Sequence, residues 1–232
     1  MQKPCVIFDF DNTLFDTETI KEYFWKIASI HDFSPAEILV LYRAAREADG
    51  HITITVESFL TVLKNELAQQ GKVFLDRQVY EIINEMENAE GLLPGAQRLL
   101  EFCQREQFPR YLLSLGVAKW QAQKVRRSGV EHYFEKDKII FTSNIAEGKK
   151  EVLKQLFGRS FNGARTVLFN DKPDETAELL TAFPKLGAFL RREVRDGRYG
   201  ADDFQSLAKQ FPGRVFWSET LDELTTVFKK LI

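Results

Sequence analysis

Cysteine is scarce: two residues in a chain of 232 exclude a disulfide framework. Cys5 lies in an apolar run and Cys103 in a helix-period one. They form no C-x-x-C pair, and both read as buried reduced thiols. An excess of charge of one sign is also missing. Lys+Arg 32 against Asp+Glu 34 leaves a formal net charge of -2, which removes the global basic field that nucleic acid or an anionic membrane would require. Binding is therefore expected at a local site, with no nucleic-acid and no membrane partner. No apolar run approaches the ~20 residues of a bilayer crossing. No charged-then-apolar leader precedes the first strand, so a cytoplasmic protein is expected. There is no internal repeat and no low-complexity tract. What is abundant is apolar surface: 44% hydrophobic residues, 20 of them Phe, ample for one large domain or a main domain carrying an insertion.

Five short apolar runs, "CVIFDF", "RYLLSL", "KIIFTS", "TVLFND" and "KLGAFLRREV", are mostly separated by helix-period stretches such as "AQRLLEFCQRE" and "KEVLKQLF". This alternation predicts an α/β fold with a Rossmann-like parallel sheet buried on both faces. Ligands of such sheets gather beyond the carboxyl ends of the strands. The polar residues there are Asp9 and Asp11, Ser114, and Asn170 with Asp171. About ninety residues separate the first two runs, far more than the dozen or so a crossover needs. The excess reads as helices. Ile20, Phe24 and Ile27 fall at helical spacing, as do Val79, Ile82, Ile83 and Met86; Ser34 and Glu37 form a capping box around Pro35; and "VESFLTVLKNELAQQG" stops at Gly71. The expected division is a core of residues 1–16 and 92–232 with an inserted α-helical cap of residues 17–91, hinged near Phe15 to Glu18 and at "EGLLPG". A last helix opens with a Thr220/Glu223 capping box.

The run "CVIFDFDNTLFD" passes from a strand into three carboxylates. Asp9 and Asp11 are two apart on extended chain, so their side chains leave on one face. Carboxylates that close repel unless one is protonated or a cation lies between them. A cluster with oxygen donors alone suits Mg²⁺, and Asp171, at the end of another strand, could complete the set. The plainer reading makes Asp9, Asp11 and Asn12 ordinary turn residues.

Taken in order, "DFDNT" with Asp9, Asp11 and Thr13, Ser114 after an apolar strand, Lys149 opening a helix in "EGKKEVL", and "FNDKPDE" after another strand resemble the four motifs of the haloacid dehalogenase superfamily. The resemblance covers essentially the whole chain, with the insert where that superfamily places its helical C1 cap. It implies Mg²⁺-dependent hydrolysis of small phosphate monoesters through an aspartyl-phosphate. Asp9 would be the nucleophile and Asp11 the general acid and base, with a pKa raised by burial and by its neighbouring carboxylate. Ser114 and Lys149 would hold the phosphoryl group, with Lys150 the competitor for the lysine role. Asp9, the Asp11 backbone carbonyl and Asp171 would ligate the metal and Glu175 would stand behind it, with Asp174 the competitor. Thr13 and Asp16 would orient the loop. Dehalogenases of the superfamily lack the second Asp, which favours phosphate esters. The chain departs from the common pattern in Asn170, in Lys172 and in "SLG".

The cap would choose among small phosphorylated metabolites such as phosphoglycolate, sugar phosphates or nucleotides. Lys21, Arg43, Arg46 and His51 are its candidate contacts, although each reads first as a solvated helix-face residue. A phosphomutase of the same family, and a non-catalytic phospho-acceptor or interaction protein that kept the fold, are the alternatives. A monomer or homodimer is expected.

Overall fold

In a computed structural model, which describes residues 3–48, 54–142 and 148–232, the five apolar runs pair as parallel strands. They are β1 (Cys5–Phe8), β2 (Arg110–Leu115), β3 (Ile139–Thr142), β4 (Thr166–Asn170) and β5 (Gly187–Arg191), and a sixth, β6 (Val215–Ser218), extends one edge. The order β3-β2-β1-β4-β5-β6 places β1 at the centre. It also places a topological switch point between β1 and β4, where an open α/β sheet makes its crevice. All five pairings are parallel, with Phe8 level with Phe169 and Ser114 level with Phe141.

Ten α-helices lie among the described residues. Four lie between β1 and Gly91: α1 (Thr17–Ser29), α2 (Pro35–Glu47), α3 (Val56–Gln69) and α4 (Asp76–Asn88). Six alternate with the later strands: α5 (Ala96–Arg105), α6 (Ala118–Arg127), α7 (Gly148–Phe157), α8 (Pro173–Ala182), α9 (Ala201–Gln210) and α10 (Leu221–Leu231). Among the described residues no helix is long and apolar enough to cross a membrane.

The helix starts follow their caps. Asp16 Oδ1 accepts from the Thr19 amide at 3.0 Å and opens α1. The Ser34/Glu37 box forms around Pro35 as expected, and Thr55 with Ser58 makes a second box at α3. The Thr220/Glu223 box forms only by half. Thr220 Oγ1 accepts from the Glu223 amide, but the Glu223 carboxylate takes Ser218 Oγ and that hydroxyl caps the Thr220 amide instead.

Alternation along β1 divides the core. Val6 and Phe8 belong to the apolar cluster that includes α5, α6 and α10 and runs on into α1–α4, while Ile7 belongs to the one that includes α7, α8 and α9. On the first face a row of phenylalanines crosses the sheet. Phe8, Phe169, Phe189 and Phe216 stand level on β1, β4, β5 and β6, stacked with centroids 5.2, 5.0 and 5.3 Å apart. Phe228 of α10 meets Phe169 and Phe189 edge-on.

The chain leaves and rejoins this layer through one small knot. Phe15 bridges to both Asp11 and Leu92, the Asp16 amide donates to Gly91 O at 2.7 Å, and the Leu93 amide donates to Leu14 O at 2.9 Å. Gly91 is required here by contact, since a Cβ would lie 1.9 Å from the Phe15 ring.

Candidate active site

Beyond the ends of β1 and β4 the backbone pairing carries on for one residue, with the Asp9 amide donating to Phe169 O at 2.9 Å. The following loop turns sharply because Asn12 adopts a left-handed conformation, φ 57°, one of the few residues besides glycine that does so readily. Its side chain then fastens the loop to α1: Oδ1 accepts from the Thr17 amide and Nδ2 donates to the buried Glu18.

Asp9 is buried, 4% exposed. Oδ2 accepts from Thr13 Oγ1 at 3.1 Å and Oδ1 from Lys149 Nζ at 2.7 Å. Lys149 opens α7 with its side chain wholly enclosed and donates as well to Asn170 Oδ1 at 2.8 Å and Glu175 Oε2 at 2.6 Å. Against the cost of burial, the charges of Asp9 and Glu175 hold its ammonium well above the usual range. Lys150 is exposed, so of the two neighbouring lysines it is Lys149 that reaches Asp9. Likewise Glu175 points inward, while Asp174 accepts from Tyr199 Oη at 2.7 Å. Burial pushes Glu175 up, but Lys149 first and then Lys172, with hydrogen bonds from Lys149 and Asn170, hold it down at about 2. Asn170 completes this network through Thr176 and the Lys172 carbonyl.

Asp171 stands apart from these bonds. It is 4% exposed and its Oδ1 has no hydrogen-bond partner. Burial, and next the Asp9 carboxylate, push it up to about 7. A buried carboxylate oxygen without a donor, close enough to a second carboxylate to be repelled by it, is what a bound cation would relieve. Among the described residues no cluster of three or more acidic, histidine or cysteine side chains could hold a metal. The fit therefore rests on Asp9 and Asp171 with a backbone carbonyl, an oxygen donor set suited to Mg²⁺. Glu175, engaged with Lys149 and Asn170, orders the lysine.

Asp11 has its own surroundings. Oδ1 receives Thr17 Oγ1 at 2.7 Å and the Lys124 ammonium; Oδ2 receives Gln121 Nε2 at 2.7 Å. Burial raises its pKa, but Lys124 and the hydrogen bonds from Lys124, Gln121 and Thr17 together outweigh it and hold the carboxyl below the ordinary range. This corrects the expectation of a raised value. Burial alone favours a raised value; the opposing charge is the Lys124 ammonium, which α6 brings to Asp11. Gln121 Nε2 also donates to Ser114 Oγ at 2.7 Å and Leu115 O at 3.1 Å. Ser114 is thereby joined to Asp11 through one amide.

Thr13 and Asp16 do order the loop, Thr13 on Asp9 and Asp16 as the cap of α1. Three further groups do so without having been anticipated. Arg191 Nη1 donates to Asn12 O at 2.8 Å, Arg195 Nη2 to Asp16 Oδ1 at 2.6 Å, and Glu193 pairs with both arginines. Arg191 ends β5 and Arg195 lies in the loop that follows it.

A cavity of about 340 Å³ opens beside Asp11 and Asp171. Ile20, Phe24 and Tyr42 of the inserted helices line it together with Trp120 and Arg198. Lys21 and Arg46 reach its wall; Arg43 is exposed on α2, and His51 lies outside the described residues. The space matches a small organic molecule.

A family model for haloacid dehalogenase-like hydrolases matches residues 3–182. No curated protein matches the sequence. Among solved structures, a HAD family hydrolase from Deinococcus radiodurans with bound phosphate and sodium superposes with a TM-score of 0.61 at 18% identity, covering 98% of this chain and 96% of that one. The protein YfnB from Bacillus subtilis, bound to magnesium, gives 0.59 at 15% identity over 98% and 99%. L-2-haloacid dehalogenase from Xanthobacter autotrophicus gives 0.59 at 12% identity over 100% of both chains. At these identities the likeness is one of fold.

Proposed function

Since the chain belongs to the haloacid dehalogenase-like hydrolases, we propose that it is a Mg²⁺-dependent phosphatase of small phosphate monoesters that works through an aspartyl-phosphate on Asp9. The observation that carries this reading is the separation of two aspartates two residues apart into different environments. Asp9 is paired with Lys149 and Thr13, next to the donor-free oxygen of Asp171. Asp11 is held on the opposite side by Lys124, Gln121 and Thr17. A nucleophile and a separate proton-transfer group are what a two-step displacement requires, and carbon–halogen cleavage has no use for the second.

In the first step an Asp9 oxygen attacks phosphorus, a P–O bond forms, and the ester P–O bond breaks with its electron pair leaving on the alcohol oxygen, which takes up a proton from solvent water because Asp11 is held ionised. Lys149, fixed by Glu175 and Asn170, lies against the charge that moves between carboxylate and phosphoryl group. Ser114 offers its hydroxyl to a phosphoryl oxygen. In the second step Asp11 accepts a proton from the water that attacks phosphorus, and Asp9 departs as a carboxylate. Mg²⁺ held by Asp9, Asp171 and the Asp11 carbonyl would supply charge neutralisation, the main demand of phosphoryl transfer. The cavity limits the alcohol portion to a small metabolite.

The experiment follows phosphate release from an aryl phosphate with Mg²⁺ and with EDTA. Release in Mg²⁺ and its loss in chelator are expected. After acid quench, Asp11→Asn should carry a hydroxylamine-labile phosphoryl adduct on Asp9, because water attack loses its base, a contribution typically worth ~10²–10⁴-fold. Asp9→Asn should carry none. Full activity in EDTA, or an adduct elsewhere, overturns the assignment.

A further inference from the structure

We infer that Gln121 and Lys124, on consecutive turns of one face of α6, are positioning residues that align Asp11 and Ser114 as a single unit; the inference rests on the function proposed above. Neither residue belongs to the motifs that carry the chemistry, yet both are enclosed: Gln121 is 0% and Lys124 5% exposed.

Lys124 is a lysine with almost no access to water whose ammonium meets Asp11 Oδ1 and lies 5.6 and 5.4 Å from the ring centroids of Phe10 and Phe15. Those two rings are themselves stacked, with centroids 5.0 Å apart. An enclosed cation costs solvation free energy that only a fixed counter-charge repays. The carboxylate of Asp11 and the two aromatic faces therefore define where the ammonium must be, and the ammonium in turn defines the Asp11 rotamer.

Gln121 takes the other oxygen. Its Nε2 has two hydrogens and three acceptors around it, Asp11 Oδ2, Ser114 Oγ and Leu115 O, while its own Oε1 has no partner. Turning the amide over would set Oε1 against a carboxylate, so the orientation is fixed by charge. With Ser114 Oγ accepting from Gln121, the hydroxyl hydrogen is left to point away from the amide, as donation to a phosphoryl oxygen needs. A buried carbonyl left without a donor is destabilising and rare. It is the cost of spending the amide hydrogens on Asp11 and Ser114. Helix α6 thus supplies no reacting atom, but it supplies the donors that keep the water-activating carboxylate and the phosphoryl-binding hydroxyl in register.

The test uses Lys124→Met, Gln121→Leu and the pair Asp11→Asn/Lys124→Met, assayed on an aryl and a primary alkyl phosphate with Mg²⁺ present. If Lys124 acts through Asp11, its loss slows water attack on the aspartyl-phosphate. Turnover of both esters should then fall by ~10²-fold to a common value, KM should fall with it, and the Asp9 adduct should accumulate in acid-quenched protein. Adding Lys124→Met to Asp11→Asn should change turnover less than threefold. Gln121→Leu should in addition weaken inhibition by inorganic phosphate, since the Ser114 hydroxyl is no longer directed. A uniform loss of turnover without adduct, or losses that multiply in the double variant, would show that Lys124 serves folding alone and would overturn the inference with the parent reading intact. A wild-type protein that neither releases phosphate nor becomes phosphorylated by any ester overturns both.

Discussion

Glu193 shows how one buried side chain can govern the approach to the site. It is 4% exposed, and its carboxylate accepts from Arg191 Nη2 and Arg195 Nε, each at 2.9 Å, and from the Arg195 amide at 3.0 Å. Arg191 holds the Asn12 carbonyl and Arg195 the cap of α1, so the Asp9–Asp16 loop leans on this acid at second hand. Burial pushes the Glu193 carboxyl up, yet hydrogen bonds from Arg195 and Arg191 hold it down at about 2, from an ordinary 4.5. A pKa lowered on folding stabilises the fold fully above pH 4.5, and the gain is lost as pH falls through about 2. The shift is worth up to about 3 kcal/mol. Glu193→Gln should therefore be less stable than wild type by about that amount at pH 7, and urea unfolding at a series of pH values should show the two converge toward pH 2. A constant gap would refute this account. At this scale the site was legible wherever chemistry and position coincide at a strand end: Asp9, Asp11, Ser114 and Asp171 each follow an apolar run. Gln121, Lys124 and the "RREVR" arginines were not. A polar residue on a helix of unknown orientation looks the same in sequence whether it meets solvent or a carboxylate.

Among the elements, the knot that joins α1 and α5 to the sheet layer is tightly constrained. Gly91→Ala would place a methyl group 1.9 Å from a Phe15 ring carbon. Because Phe15 also stacks on Phe10 and faces Lys124, the ring cannot yield without disturbing the group that holds Asp11. Overpacking of this kind costs about 1–3 kcal/mol, a fall in Tm of several degrees for a chain of this size. Calorimetry and turnover should both register it, and a variant with unchanged Tm would show that the knot has slack. The helices that could be read in advance each carried one clear signal, a stripe of apolar residues as in α1 and α4 or a cap as in α2 with Ser34 and Pro35. β6 was missed because four residues, with only Val215 buried, carry no usable periodicity. Its place was decided by pairing with β5.

For the molecule as a whole, cohesion across the sheet depends on the aromatic row. Phe189 is 2% exposed and touches Phe169, Phe216 and Phe228. Phe189→Ala should cost ~3–5 kcal/mol, and should do so with the Mg²⁺ requirement proposed above unaltered, because Phe189 contributes no ligand. Denaturant titration combined with a Mg²⁺ activation curve separates the two effects. The entry and exit of α1–α4 have a consequence for assembly. Two amide–carbonyl bonds, Asp16 to Gly91 at 2.7 Å and Leu93 to Leu14 at 2.9 Å, tie the point of departure to the point of return, and the loop-closure entropy of an excursion rises only with the logarithm of its length. Seen from the sheet, the length of the excursion through α1–α4 therefore costs little. A foreign bundle whose ends meet at a similar spacing could be grafted at this junction, provided that it keeps the first turn of α1, where Thr17 holds Asp11 and Glu18 holds Asn12.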